Sequence, residues 1–542
     1  MRRPIFGYSA LLLGIVACDT GEVTAPAGSP TLPALLVSAS SAPTLLSASF
    51  VGGAGDQRGL AAATESGAIY AAGFDQVAGL HGLLVKFDTP PAIPAWSVVT
   101  PNVHFNGLAL HPGAPHPVGQ AAPPTCGASD GAGDTERKTL LARYDGAGSL
   151  LGCRSENFFP YRGIEYYLAG LPTTEGGNPF VYAAGQAEQT GFAASFPFVL
   201  AKYDGGGNFV AAVTEPGITL GSFTGCCPGE SNVQGLTQMG GDLYLAGYSR
   251  LPGLGEADNT IRPVLMRYGT SPLARIWKAR SADVAGRLHG VVPLSGELYA
   301  VGYSGSPPSR DFLMQKYDAS GVRVWSLTTG GAGDDLLTGV SAVGTRLFAV
   351  GHSSSGGAGG VDGVVLELDP ATGATLTTTY LGGALDDLAN GVTTDGVDLY
   401  VVGESRSFAS ADGNLVGQND LVLWSLALLL EVEIDILPGS ATNPINPKNK
   451  GVVPVAVLST ADFDATTDVD RSTLTFGRTG DEASFSHCAL VQSDLNGDAL
   501  VDLLCYFHQQ ATGFVSGDTQ GVLRGATTAG QPIEGADVVR VR

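Results

Sequence analysis

Near the carboxyl end, nine residues set oxygen-bearing groups at regular intervals. Asp494, Asn496, Asp498 and Asp502 stand at positions 1, 3, 5 and 9 of Asp494-Leu495-Asn496-Gly497-Asp498-Ala499-Leu500-Val501-Asp502, and Leu500 offers its backbone oxygen at position 7. Hard oxygens at this spacing are what a hard cation takes, so the expected cofactor is calcium in a structural role, stitching the loop. Two residues depart from the pattern. Position 6 is Ala499, where glycine usually turns the chain, and position 12 is Cys505 rather than an acid. The competing reading is an Asp/Asn/Gly turn held by its own side-chain hydrogen bonds.

The other groups with chemical potential read as structural. Asp334-Asp335 and Asp386-Asp387 recur at equivalent points of a repeat, which suits bonding of backbone amides at the entry to each unit. His104, His111 and His116 are loosely spaced and interrupted by Pro112, Pro115 and Pro117, the pattern of loop histidines rather than of a metal site. Gly351-His352-Ser353-Ser354-Ser355 lacks the glycine that a nucleophile elbow needs two residues after its serine. Gly247-Tyr248-Ser249, Gly302-Tyr303-Ser304 and Gly403-Glu404-Ser405 fill the same slot, so the serine is punctuation. Phosphate loops, dinucleotide fingerprints and zinc-protease motifs are missing.

The elements that carry these residues repeat along the chain. Tyr299-Ala300-Val301-Gly302 has counterparts at Tyr70-Ala71-Ala72-Gly73, Tyr182-Ala183-Ala184-Gly185, Tyr244-Leu245-Ala246-Gly247, Phe348-Ala349-Val350-Gly351 and Tyr400-Val401-Val402-Gly403, with a degenerate copy at Pro117-Val118-Gly119. The glycines lie 46 to 66 residues apart. In the clearest copy, apolar runs over 288–294, 297–303, 312–317 and 322–327 are separated by Ser295-Gly296, a loop, and Asp318-Ala319-Ser320-Gly321. Such runs between Gly, Asp and Ser read as strands joined by tight turns. Four strands per unit at this period make one propeller blade. The repeated glycine implies positive φ or no room for a Cβ. Trp96, Trp277 and Trp325 share one slot after the second turn and are expected to pack between neighbouring blades. Copy seven ends at its third strand, so residues 45–52 are expected to supply its fourth and close the ring. The fold class expected is all-β, a seven-bladed β-propeller over 45–428 followed by a small β-sandwich over 429–542.

The repeats resemble the bacterial β-propeller repeat family of secreted surface proteins. The likeness rests on Gly330-Gly331-Ala332-Gly333-Asp334-Asp335, Gly382-Gly383-Ala384-Leu385-Asp386-Asp387 and Gly52-Gly53-Ala54-Gly55-Asp56, and on Lys86-Phe87-Asp88, Lys202-Tyr203-Asp204 and Lys316-Tyr317-Asp318. It implies a fold and a secreted setting, not a chemistry. Phrases of the last 110 or so residues, such as Val453-Pro454-Val455-Ala456-Val457-Leu458, resemble a module that ends many secreted bacterial proteins. There, short strands are expected at 432–436, 452–458, 474–476, 489–492, 500–507, 521–524 and 537–541. The 494–502 loop is similar to the calcium loops of integrin-type repeats.

At the amino end, Arg2 and Arg3 precede an apolar run ending in Ile15-Val16-Ala17-Cys18. Residues 1–18 read as a targeting segment too short to span a bilayer. The ending resembles a bacterial lipobox, which implies lipidation of Cys18. Residues 19–44, rich in Pro, Ala, Ser and Thr, read as a flexible tether. The remaining six cysteines suit disulfides in an exported chain, with Cys488–Cys505 and Cys126–Cys153 expected and Cys226-Cys227 left as a vicinal pair or free thiols.

The formal net charge of −22 argues against nucleic acid or anionic lipid as the main partner. The sequence therefore points to a lipid-anchored, extracytoplasmic scaffold on a bacterial membrane, touching that membrane only through Cys18. It would bind a protein or glycan through the loops 120–138, 186–198 and 216–230. The alternatives are a polymer-degrading hydrolase or lyase acting at the propeller mouth, or a structural envelope component.

Overall fold

A computed structural model describes residues 42–542, apart from 52–55, 66, 77–78, 80, 89–93, 123–124, 128–136, 157, 159–164, 188–196, 216–229, 251–259, 408–418 and 462. The chain is all-β. Residues 42–428 form seven four-stranded antiparallel sheets among the described residues. One sheet shows the plan. Gly286–Leu294, Glu297–Ser304, Asp311–Tyr317 and Arg323–Thr329 pair in chain order, from the innermost strand outward. Ser295 and Gly296 turn the first hairpin with φ of 52° and 79°. Two consecutive positive φ values match the twist of the flanking strands. Asp318 turns the chain again, its Oδ1 accepting the amides of Ser320 and Val322 at 2.9 Å each.

The last sheet is built from both ends of this region. Asp387–Thr394, Asp398–Ser405 and Asp420–Ala427 supply three strands, and Thr44–Val51 pairs antiparallel with Asp420–Ala427 as the fourth. Every residue of Asp420–Ala427 is buried. Without the amino-terminal strand, this apolar run would be an open edge.

Each sheet remains open, and the sheets meet by side-by-side packing of their innermost strands. The innermost strand of the first sheet, Gln57–Glu65, packs against Asp387–Thr394 of the last. The Thr64 hydroxyl donates to the Thr394 carbonyl at 2.7 Å across this junction. Further out, tryptophans on outer strands cover the turn of the next sheet. A Cβ on Gly148 would lie 3.0 Å from Trp96, and one on Gly321 would lie 2.9 Å from Trp277. Trp325 covers Gly373 in the same way. The repeated Trp and the turn glycine are thus one inter-sheet contact.

Beyond residue 428 the chain forms two more four-stranded sheets and a two-stranded one. Ile436, Val455, Phe476, Phe507, Leu523 and Ile533 fill a shared apolar core. The strand expected at 489–492 is absent. Pairing instead runs through Phe485–Cys488 against Leu503–His508, and Leu490 and Val491 that follow are exposed. Register explains the difference: Cys488 is the last residue held opposite a partner, Cys505. Among the described residues, no helix is long and apolar enough to cross a membrane.

Candidate functional site

Every innermost strand carries a register shift at the same point. The inserted residues are Leu60, Asn106, Leu168, Gln234, His289, Thr338 and Asn390. Together with their neighbours they line one central cavity of about 200 Å³. A bulge turns the backbone sharply. The carbonyl two residues before the bulge presses toward the second strand, at the repeated motif glycine. A Cβ on Gly73, Gly119, Gly185, Gly247, Gly302, Gly351 or Gly403 would collide with the carbonyl oxygen of Arg58, His104, Tyr166, Asn232, Arg287, Leu336 or Leu388, respectively. None of these glycines has positive φ. Lack of room is therefore the reason for the motif.

The bulged side chains also stitch the sheets together. Asn106 donates to the Tyr167 carbonyl at 2.8 Å, Thr338 to Ala389 at 2.9 Å and Asn390 to Gly59 at 2.9 Å. His289 bonds the backbone of Leu337. In each case the partner is the residue just before the next sheet's bulge. The sequence offers this signal only weakly, as a polar residue followed by glycine in Asn106-Gly107, Gln234-Gly235, His289-Gly290, Thr338-Gly339 and Asn390-Gly391.

The ends of these strands make a polar mouth. One residue beyond each motif glycine and two before each bulge, side chains of adjacent sheets converge. Arg58 lies over the Phe74 ring at 5.6 Å, and its Nε approaches Glu404 Oε2 at 2.8 Å across the first and last sheets. That contact is off-angle for a hydrogen bond; Glu404 Oε1 accepts from Arg58 Nη1 at 3.3 Å instead. Burial pushes the Glu404 carboxyl up to about 7, against the pull of Arg58. His104 packs edge-on to Phe74, bonds Gln120 Nε2 through Nδ1, and is pushed down to about 4 by burial. Gln186 accepts from the Tyr166 hydroxyl at 2.7 Å and from Asn232 Nδ2 at 3.4 Å. Arg287 lies 4.0 Å above the Tyr248 ring, and Arg310 lies 4.9 Å above that of Tyr303. Leu336, opposite His352, and Leu388, opposite Glu404, complete the circle. Tight turns such as Ser295-Gly296 sit at the opposite end of the strands. The strand ends flanking 188–196, 216–229 and 251–259 all lie at the mouth.

No protein-family model matches the chain, and no curated protein matches it. Among solved structures the chain is similar to one described as "Structure of Dos1 propeller", at 12% identity over 66% of this chain and 74% of that one, with a TM-score of 0.37.

The residues singled out in the sequence fall in several places. The 494–502 loop is self-bonded. Asp494 accepts from the amides of Gly497 and Ala499 at 2.6 and 2.9 Å, Asp498 from Leu500 at 2.8 Å, and Asn496 Oδ1 from Asp498 at 3.1 Å. Asp502 is fully buried and accepts from Ser459 and Leu495. The oxygens suit calcium in kind, but their arrangement does not fit a ready-made cage. Among the described residues, no three acidic, histidine or cysteine side chains converge as metal ligands. Ala499 takes the turn with φ of 73° despite its Cβ. The bridges Cys126–Cys153 and Cys488–Cys505 are formed. Cys18, Cys226 and Cys227 lie outside the described residues, as do most of the loops expected to bind a partner.

The three histidines are on strands Val103–His111 and Ala114–Ala121, not in loops. The Pro-interrupted stretch still forms a hairpin because Gly113 supplies positive φ. His104 stands at the mouth, while His111 and His116 pack at the other end of that hairpin, 5.6 Å apart. Asp335 and Asp387 do bond backbone at the entry to their sheets, accepting from Gly331 at 2.7 Å and Gly383 at 2.8 Å.

Proposed function

We propose that residues 45–428 are a seven-bladed β-propeller, followed by a β-sandwich module over 429–542. The chain would act as a non-enzymatic binding scaffold for a protein or glycan, on the extracytoplasmic side and lipid-anchored through Cys18. The observation that carries this reading is the mouth. A ring of arginine, aromatic and amide side chains stands there on rigid strand ends, on the face that also carries the longest connections. Recognition sits naturally where variable connections are mounted on a fixed frame. Some of its groups bond one another, as in Tyr166–Gln186–Asn232, while buried polar atoms such as Gln186 Nε2, Asn232 Oδ1 and Arg287 Nε have no hydrogen-bond partner and could serve a ligand.

A hydrolase or lyase at the same mouth is the second reading. One observation favours it: the Glu404 carboxyl, at about 7, has the proton affinity of a general acid.

Calcium at the 494–502 loop is part of the proposal. An ion would have to compete with backbone amides for Asp494 and Asp498, which points to the weak end of the calcium range, about millimolar.

The test is a binding panel of extracellular polysaccharides and envelope proteins, with release of products followed in parallel. Saturable binding without product supports the scaffold. Product formation that is lost in Glu404→Gln supports the enzyme.

A further inference from the structure

Two register positions meet at the boundary between consecutive sheets. One is the first residue of a third strand, and the other is the first residue of the next sheet's innermost strand. A backbone hydrogen bond repeats beside them: Glu165 to Arg137 at 3.0 Å, Asp335 to Arg310 at 2.8 Å, Asp387 to Val361 at 2.7 Å and Gln57 to Asn419 at 2.8 Å. At one boundary the pair is Lys138 and Glu165, a cation with an anion, each 1% exposed. At another it is Asp420 with the neutral Gln57. At two further boundaries the pairs are Asp311/Asp335 and Asp362/Asp387, two carboxylates in each.

The members of each pair face one another, and all but the half-buried Asp311 are buried. Asp335, Asp362 and Asp387 are 0%, 1% and 0% exposed. A Cβ on Gly382 would lie 2.6 Å from Asp362 Oδ1 and 2.5 Å from Asp387 Oδ2. The equivalent Gly330 sits in the same way between Asp311 Oδ1 and Asp335 Oδ2, the latter at 2.9 Å. Asp362 spends Oδ2 on the amides of Ala358 and Gly359, at 2.7 and 3.0 Å. Its Oδ1 is buried, points into the pair and has no hydrogen-bond partner. The guanidinium groups of Arg310 and Arg406 are engaged with Asp334 and Asp386, one residue along.

We propose that each carboxylate pair holds a divalent hard cation, which stands where Lys138 supplies the positive charge in the equivalent boundary. Buried carboxylates without a paired cation are costly, and an oxygen-only donor set selects calcium or magnesium over zinc. The hydroxyls of Ser353 and Ser355 at one site, and of Ser405 and Ser407 at the other, now donate to Asp335 and Asp387. They can turn their oxygens to the ion, with water completing the shell. The ions would clamp three consecutive sheets.

The experiment is thermal unfolding of the full chain in chelator and in calcium. It compares wild type, the double variant Asp311→Asn with Asp362→Asn, and Asp494→Asn as a control for the carboxyl-terminal loop. Calcium kept below the millimolar range, where the 494–502 loop stays empty, is expected to raise the unfolding temperature of wild type and of Asp494→Asn by several degrees, and to leave the double variant unmoved. In chelator the double variant is expected to unfold above wild type, because each site then holds one charge, as at Asp420/Gln57. An equal calcium shift in all three proteins would overturn the proposal and assign the effect elsewhere. A double variant that is less stable than wild type in chelator, or that fails to fold, would also overturn it, since a water or proton shared by the pair would then be the native link.

Discussion

The side-chain amide of Asn390 donates to the Gly59 carbonyl at 2.9 Å, joining the last repeat to the first across 331 residues of sequence. The same bond recurs between other sheets because each bulge frees one carbonyl and offers one side chain to the next. Asn390→Leu leaves the Gly59 carbonyl unpaired in a half-buried site. The expected loss is about 1–3 kcal/mol in denaturant unfolding. No loss would mean that packing alone closes the ring.

Leu60 and Leu168 occupy the bulge but cannot donate. Leu168→Asn places a donor at the position from which Asn106, Thr338 and Asn390 reach the next sheet. The expected gain is about 0.5–1.5 kcal/mol by the same measurement, less the apolar contact given up.

Gly302→Ala should be severely destabilising, by more than about 3 kcal/mol, because its Cβ would occupy the space of the Arg287 carbonyl and the bulged backbone cannot retreat. Gly152→Ala is the control: nothing lies within 4 Å of its Cβ position and its φ is unexceptional. That variant should unfold within about 0.5 kcal/mol of wild type.

Stability should depend on pH in two opposed ways. Burial pushes His104, His116 and His352 down to about 4 and His289 to about 3. Their folded values lie below the unfolded 6.5, so the stability they contribute is complete above pH 6.5 and drains away as pH falls toward 4. Glu404 has the opposite sign. Its folded value of about 7 exceeds the ordinary 4.5, so its contribution is full below pH 4.5 and is lost as pH rises through 7. His289→Gln should flatten the acid limb. Glu404→Gln should stabilise the protein above pH 7 and change little at pH 4. Unfolding temperatures across this range check both.

Much of the frame was legible in the sequence, because strands and tight turns are local. The Tyr-x-x-Gly step marked five of the seven second strands, and Asp318 to Gly321 marked a turn that forms as expected. The amino-terminal strand opposite Asp420–Ala427 was legible from a missing fourth run. What escaped was whatever depends on register between distant segments. The bulge residues look like ordinary strand residues, and only their placement opposite the motif glycines shows why those glycines are needed. Arg58 and Glu404 are 346 residues apart in sequence, and nothing in either neighbourhood signals the other. Asp334-Asp335 and Asp386-Asp387 were visible as pairs, but the partners that face Asp335 and Asp387 are Asp311 and Asp362, which no local spacing connects. The 489–492 run misled because it is apolar in composition, while the paired strand ends at Cys488.

The central claim is that the polar mouth is where a ligand is held. The most direct measurement is the affinity of the ligand identified in the panel for wild type, for Arg287→Ala with Gln186→Ala at the mouth, and for Asn178→Ala on the tight-turn face. Circular dichroism of each protein would confirm an intact fold. The account predicts at least a tenfold loss for the mouth variant, about 1.4 kcal/mol or more, and unchanged affinity for Asn178→Ala. Full affinity in the mouth variant, or loss confined to Asn178→Ala, would contradict it.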